Sequence, residues 1–167
     1  MDRSVVEREL EALHPQSFAW ALACCGGSRA DAEDVLQATY LKVLDGTACF
    51  EERSSLRTWL FGVIRRTAAQ ERRRGWLRRW TGRDGAEAET DPRPAVDAVL
   101  ERAQQGARLR RALRTLPRRQ LEVLELVFYH ELTIEEAGTV MQVSLGTART
   151  HYERGKKNLR RRLEAED

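Results

Sequence analysis

Apolar residues recur at helical spacing along most of this chain, and no segment alternates with period two over a useful length. In SRADAEDVLQATYLKVLDG, residues 28–46, one stripe holds Ala32, Val35, Leu36, Thr39, Tyr40, Val43 and Leu44. That spacing predicts a helix with one buried face. Ser28 stands at its N-cap, Asp31 completes a capping-box-like start, and Gly46 lies where a C′ glycine belongs. The opposite face carries Asp34, Gln37 and Leu41. Upstream, VVERELEALHPQSFAWALACC predicts one or two further helices, interrupted near Pro15. Downstream, SSLRTWLFGVIRRTAAQERRRGW predicts a helix capped by Ser54 or Ser55, with Leu56, Trp59, Leu60, Val63 and Ile64 on its apolar face. Its second half turns basic through Arg65, Arg66, Arg72, Arg73 and Arg74, with Gln70 among them. Gly75 is expected to break it, leaving WLRRW as a short basic amphipathic stub.

From Thr81 to Arg102 the chain is rich in Gly, Pro and acids and holds little that builds a core, so it reads as a linker with a short helix at its end. Helical segments follow. RLRRALRTL stops at Pro117, and RRQLEVLELVFYHE carries Leu121, Val123, Leu124 and Val127. TIEEAGTVMQ opens on Thr133 as N-cap with Glu136 as its capping-box partner. VSLGTARTHYERGKKNLRRRL starts with a turn-like Ser-Leu-Gly-Thr and runs on without a breaker. The expectation is an all-α protein of two small helical domains, residues 1–80 and 104–167, joined by a flexible linker over 81–103.

Charge sharpens this picture. The net charge of +3 is small, but its distribution is blocked. Acids outnumber bases from Met1 to Arg53, Arg65–Arg83 is almost purely basic, Asp84–Glu101 is acidic, and the last stretch is basic again. Such blocks point to separate surfaces for separate partners, or to solvated helix faces. Cys24, Cys25 and Cys49 lack metal-ligand spacing and are odd in number, so they read as small buried hydrophobes, with thiol redox sensing as the sharper alternative. No metal and no cofactor is expected. No apolar run approaches the ~20 residues of a membrane span, the N-terminus has no signal-peptide pattern, and WLRRW is too short to hold a membrane surface; the expectation is a cytosolic chain without membrane insertion. A Gly-rich phosphate loop and a nucleophile–base pair are both missing, so the chain does not read as an enzyme.

TIEEAGTVMQ, VSLG and TARTHYERGKKNL in succession predict a helix-turn-helix, whose second helix enters the DNA major groove and reads base edges with its first turns. Arg149 suits the bidentate guanine edge. Thr150, His151 and Glu153 are polar hydrogen-bonders, and Arg154, Lys156 and Lys157 suit phosphates. The alternative is a helical hairpin whose basic face is merely wet. In the first half, the Arg65–Arg74 track beside Trp59, Phe61 and Trp76 offers cations and ring faces for single-stranded DNA. Trp59, on the apolar stripe, is the more natural core residue.

LRTLPRRQLEVLELVFYHELTIEEAGTVMQVSLGTARTHYERGKKNLRRRL resembles region 4 of bacterial sigma factors, on the Leu116-Pro117 start, Glu135-Glu136 and Gly146-Thr147. AEDVLQATYLKVL is similar to the polymerase-binding helix of sigma region 2, and SSLRTWLFGVIRRTAAQERRR to its −10 recognition helix. Both segments in this order, in so small a chain, resemble the extracytoplasmic-function (ECF) group of the sigma-70 family, from about Ser28 to Leu163. The resemblance implies a cytoplasmic bacterial subunit that binds core RNA polymerase, through the β′ clamp helices and the β flap, and that an anti-sigma factor restrains. It implies polymerase contacts at Asp34 and Gln37, with Leu41 on the same face. It places Ser54, Ser55, Arg65, Arg66, Gln70, Arg73 and Arg74 at the melted −10 element, residues 49–55 forming the loop that holds a flipped base. It places Thr147, Arg149, Thr150, His151, Glu153, Arg154 and Lys157 at the double-stranded −35 element. The chain departs from the family's usual residues at Ala38, Arg66, Gln70, His151 and Glu153, and Ala137-Gly138 replaces the common Ile-Ala, which is expected to loosen packing. The competing reading is a helix-turn-helix regulator with an N-terminal sensor or dimerisation bundle. AEDVLQATYLKVL followed by the tryptophan–arginine helix is what such a regulator has no reason to carry.

Overall fold

The computed structural model describes residues 2–80 and 100–165, with side chains outside 76–80 and 100–105. Every regular element among the described residues is helical. The chain divides into two compact units, Met1–Asp91 and Pro92–Asp167. Residues 81–99 of the expected linker lie outside the described residues.

In the N-terminal unit, α1 (Arg3–Cys24), α2 (Arg29–Leu44) and α3 (Leu56–Trp80) pack against one another. Pro15 does not interrupt α1. It removes one backbone donor, but the helix on either side buries Leu10, Trp20 and Ala21, and that packing outweighs the lost bond. Gly26 and Gly27, at φ +64° and +87°, close α1 in a Schellman-type end, with the Gly27 amide donating to the Leu22 carbonyl at 2.8 Å. The Arg72 guanidinium donates to the Cys24 carbonyl at 2.7 Å, a cation at the negative end of the helix dipole. Ser28 Oγ accepts the Asp31 amide at 3.3 Å, but the Ser28 amide turns back to the Cys25 carbonyl, so the capping box is not reciprocated. Gly46, at φ +82°, follows α2 as expected.

Ser55 caps α3, its Oγ accepting the Thr58 amide at 3.1 Å. Gly75 does not break α3, which continues to Trp80. A lone helix glycine costs only about 1 kcal/mol, and good helix formers flank this one. Apart from its chain neighbours and the backbone of its own helix turn, nothing lies within 4 Å of where a Cβ would sit on Gly75. Gly75→Ala is therefore expected to stabilise the protein by about 0.4–1 kcal/mol in denaturant unfolding; a loss of stability would show that the position needs glycine. The core holds Trp20, Val35, Leu36, Leu60, Phe61, Val63 and Ile64. Phe61 is fully buried and stacks on Trp20 at 5.9 Å, so it is core and not a platform for DNA bases. Trp59, half-buried, packs against Phe50 at 5.3 Å. The side chains of Trp76 and Trp80 lie outside the described residues. Of the cysteines only Cys24 is buried; Cys25 is intermediate and Cys49 exposed, against the expectation of three buried thiols.

The C-terminal unit comprises α4 (Leu100–Arg114), α5 (Arg118–Leu124), a π-helical segment (Glu125–Tyr129), α6 (Ile134–Met141) and α7 (Leu145–Ala165). The expected single helix over residues 118–131 is thus altered after Leu124. The His130 amide donates to the Glu125 carbonyl five residues back, at 3.1 Å, and the wider turn re-phases the side chains. Leu126 and Leu132 go to the core while Phe128 and Tyr129 face outward. Thr133 and Glu136 form the expected capping box, with bonds of 3.1 and 2.8 Å. Gln142, left-handed at φ +57°, ends α6. The turn is shorter than Val-Ser-Leu-Gly: Ser144 Oγ accepts the Thr147 amide at 3.1 Å, so α7 already includes Leu145 and Gly146. Gly138 does not loosen the packing. A Cβ there would stand 3.3 Å from both the Ala148 Cβ and the Val143 carbonyl oxygen, so the missing side chain lets α7 approach α6.

Candidate functional site

α7 buries Ala148 and Gly155 and turns its other side to solvent. A Cβ on Gly155 would lie 3.2 Å from Leu124 Cδ1, which shows how closely α7 is seated on α5. This seating exposes Thr147, Arg149, Thr150, Glu153, Arg154 and Lys157, with His151 half-buried at the edge. The expected −35 residues therefore share one continuous face. Thr147 is tied to Ser144 Oγ at 2.9 Å. Thr150 donates its hydroxyl hydrogen to the Gly146 carbonyl at 3.0 Å, which leaves the oxygen free to accept. Glu153 meets Lys156 at 3.3 Å, and the Lys156 ammonium sits 4.5 Å from the Tyr152 ring centroid. Lys156 is thus drawn sideways from the face on which Lys157 stands exposed. Arg160, Arg161 and Arg162 extend the basic surface towards the helix end, all exposed.

On α3, Arg66 and Gln70 are exposed one turn apart, and Arg73 and Arg74 continue the surface; Arg65 is half-buried. Arg74 pairs with Glu71 at 3.2 Å. Gln70 is not isolated: its Oε1 accepts from Lys42 of α2 at 2.8 Å. Ser54 and Ser55 sit at the start of α3, where Ser55 is spent on capping and Ser54 donates to the Ser55 carbonyl at 3.2 Å. The preceding loop has Glu52 at φ +56° and an Arg53–Glu51 pair at 2.8 Å. Sequence reasoning missed Lys42 and the capping role of Arg72. Both depend on contacts between helices, for which no local signal exists.

On α2, Asp34 and Gln37 are exposed, and Leu41 is 60% exposed on the same side. Gln37 also borders a surface cavity of about 330 Å³ that His14, Phe18, Leu36 and Tyr40 help to line. His14 Nδ1 lies 3.0 Å from the Tyr40 hydroxyl, and burial pushes the Tyr40 phenol above its ordinary range. In the C-terminal unit Phe128 and Tyr129 are 63% and 68% exposed, with Phe128 stacked on Tyr152 at 5.9 Å. This aromatic surface was missed because two aromatic residues inside an expected helix carry no local sign of exposure. Among the described residues no cluster of His, Cys, Asp or Glu is arranged to hold a metal ion, and no helix is long and apolar enough to cross a membrane.

Residues 10–88 match the family model for sigma-70 region 2, and residues 112–161 the model for sigma-70 region 4. RNA polymerase sigma factor YlaC of Bacillus subtilis is 30% identical over 135 residues, covering 79% of this chain and 77% of the relative. ECF RNA polymerase sigma factor EcfG of Rhodopseudomonas palustris is 31% identical over 147 residues, covering 87% and 77%. Among solved structures, sigma factor RpoE of Bartonella quintana, crystallised with the anti-sigma factor NepR, has the same fold, with a TM-score of 0.71. It is 24% identical, with 97% of this chain and 98% of that one covered.

Proposed function

The chain belongs to the sigma-70 family of RNA polymerase sigma factors, in its ECF group, and from that membership we propose how its surfaces share the work of promoter recognition. It directs promoter-specific transcription initiation as a partner of core RNA polymerase. In this reading it confers specificity and leaves polymerisation to the core enzyme, in the cytoplasm. The region 2 match is what a helix-turn-helix regulator with a sensor bundle does not carry.

The observation that supports the assignment of surfaces is the exposure of Asp34, Gln37 and Leu41 on α2, of Arg66, Gln70, Arg73 and Arg74 on α3, and of Thr147, Arg149, Thr150, Glu153, Arg154 and Lys157 on α7, with Arg65 and His151 half-buried beside them. Asp34, Gln37 and Leu41 on α2 dock on the β′ clamp helices, a polar pair beside an apolar anchor. Arg66, Gln70, Arg73 and Arg74 on α3 track the melted −10 strand, with Arg65 behind them and Ser54 and Ser55 at the loop that receives a flipped base. There the cations neutralise phosphates while the opened strand is held apart from its complement. Thr147, Arg149, Thr150, His151, Glu153, Arg154 and Lys157 on α7 meet the −35 duplex. Phe128 and Tyr129 are proposed as the contact with the β flap, supported by their being the two most exposed large apolar side chains among the described residues. An anti-sigma factor is the proposed regulator, as NepR is the partner in the RpoE complex.

Asp34→Ala combined with Gln37→Ala tests the first surface. Exposed polar substitutions change stability by no more than about 0.5 kcal/mol, so the fold should survive, whereas affinity for core polymerase should fall several-fold in a titration with labelled protein. Wild-type affinity in the double variant would move the polymerase-binding face elsewhere.

A further inference from the structure

Lys42 ties α2 to α3 beside the proposed −10 surface. Its Nζ donates to Gln70 Oε1 at 2.8 Å and to Thr67 Oγ1 at 3.2 Å. Thr67 is buried, so the ammonium is anchored on a fixed hydroxyl, and Lys42 itself is half-buried. An ammonium offers hydrogens only. The Gln70 atom that faces it must be the carbonyl oxygen, which removes the usual ambiguity in the orientation of an amide. The other end of the amide, Nε2 with its two hydrogens, takes no partner among the described residues, and the residue is exposed.

We propose that Lys42 is a positioning residue for base specificity, which by holding Gln70 Oε1 fixes the orientation of the amide and leaves its donor end, Nε2, for the DNA. The inference rests on the reading of Gln70 as a −10 contact and deepens it. A glutamine with both ends of its amide available pairs bidentately with adenine, accepting from N6 and donating to N7. With one Oε1 lone pair taken by Lys42, the amide no longer turns freely to meet a base with both ends, and that pairing is disfavoured. Two N–H donors instead suit a base whose edge carries a keto oxygen, guanine at O6 and N7 or thymine at O4. Adenine and cytosine present an amino group at the equivalent position, where a donor finds no acceptor, and adenine keeps only N7. The specificity of the position is thus set by a residue that never touches the base.

The test is open-complex formation by reconstituted holoenzyme on promoters carrying each of the four bases at every −10 position. Wild type should favour guanine or thymine at one position, and Gln70→Ala should level that preference. Lys42→Met, which keeps the aliphatic stem and removes the donors, should raise adenine relative to the keto bases at the same position, on the order of tenfold for one bidentate pair. Gln70→Glu keeps a partner for Lys42 but presents an acceptor, and should favour adenine or cytosine. In a Gln70→Ala background, Lys42→Met should change no base preference. If Gln70→Ala alters a −10 preference while Lys42→Met leaves it as in wild type, the positioning role is overturned and the contact stands. If Gln70→Ala alters none, the −10 contact falls and the inference with it.

Discussion

Trp20→Ala should destabilise the N-terminal unit by about 3–5 kcal/mol, the cost of emptying a large aromatic site in a packed core. Trp20 is 1% exposed, stacks on Phe61 at 5.9 Å, and donates its indole N–H to the Phe61 carbonyl at 3.0 Å. It is the pin between α1 and α3. A buried indole needs a partner for its N–H, and here the ring and that bond act on the same residue. Against a typical domain stability of about 5–15 kcal/mol, the loss is a large fraction of the whole. Trp20→Phe keeps a ring and gives up the hydrogen bond, so it should lose less. Denaturant unfolding followed by far-UV circular dichroism reads both variants. The functional consequence follows from the packing. α1 supports α2 and α3 together, so the Trp20→Ala holoenzyme should lose polymerase affinity and promoter opening together. An unfolding curve unchanged from wild type would mean that the core has been misassigned.

On α7, Arg149→Ala and Lys157→Ala should fail in different ways. The helix is 21 residues long, about 30 Å, while the major groove is only about 12 Å wide. Its first turns can lie in the groove, and its last turns must leave it. Arg149, exposed in the first turns, should read a base edge, so its loss should cost about 1–3 kcal/mol and relax preference at one or two base pairs. Lys157 should lie against phosphate; Lys157→Ala should weaken all sequences alike and lower the salt slope by about one unit. Binding of holoenzyme across a −35 library at several salt concentrations separates the two. Uniform weakening from Arg149→Ala, or altered base preference from Lys157→Ala, would show that the helix docks in another register.

What could be read from the chain beforehand was whatever is decided within a few residues. Thr133 with Glu136, Ser28 with Asp31 and Ser55 at α3 are local bonds between near neighbours: the Thr133 box and the Ser28 N-cap stand where the sequence placed them, and Ser55 is one of the two caps it offered for α3. The exposed faces of α2, α3 and α7 were legible for the same reason: helical spacing alone sorts Asp34 from Val35 and Arg149 from Ala148. Errors came where longer-range packing overrode a local rule. Pro15 and Gly75 are breakers by propensity, yet they sit in helices of 22 and 25 residues that have other reasons to form. Phe61 looked available because it falls beside the Leu60–Ile64 stripe, but α3 is covered by both α1 and α2, and its buried arc is wide enough to include it. The π turn at Glu125–Tyr129 has no sequence signature, so Phe128 and Tyr129 went unremarked. Lys42 and Gln70 lie 28 positions apart, and only the tertiary fold brings them together.

Added to core polymerase, this chain should turn it into a promoter-specific enzyme. Run-off transcription with purified core RNA polymerase on genomic promoter fragments, with and without the full chain, tests it most directly. Discrete transcripts that appear only when the chain is added, and that fade with Arg66→Ala combined with Gln70→Ala but return in part on a pre-melted template, are the predicted result. A chain that binds duplex DNA sequence-specifically by itself while adding no transcript to core polymerase would contradict the account.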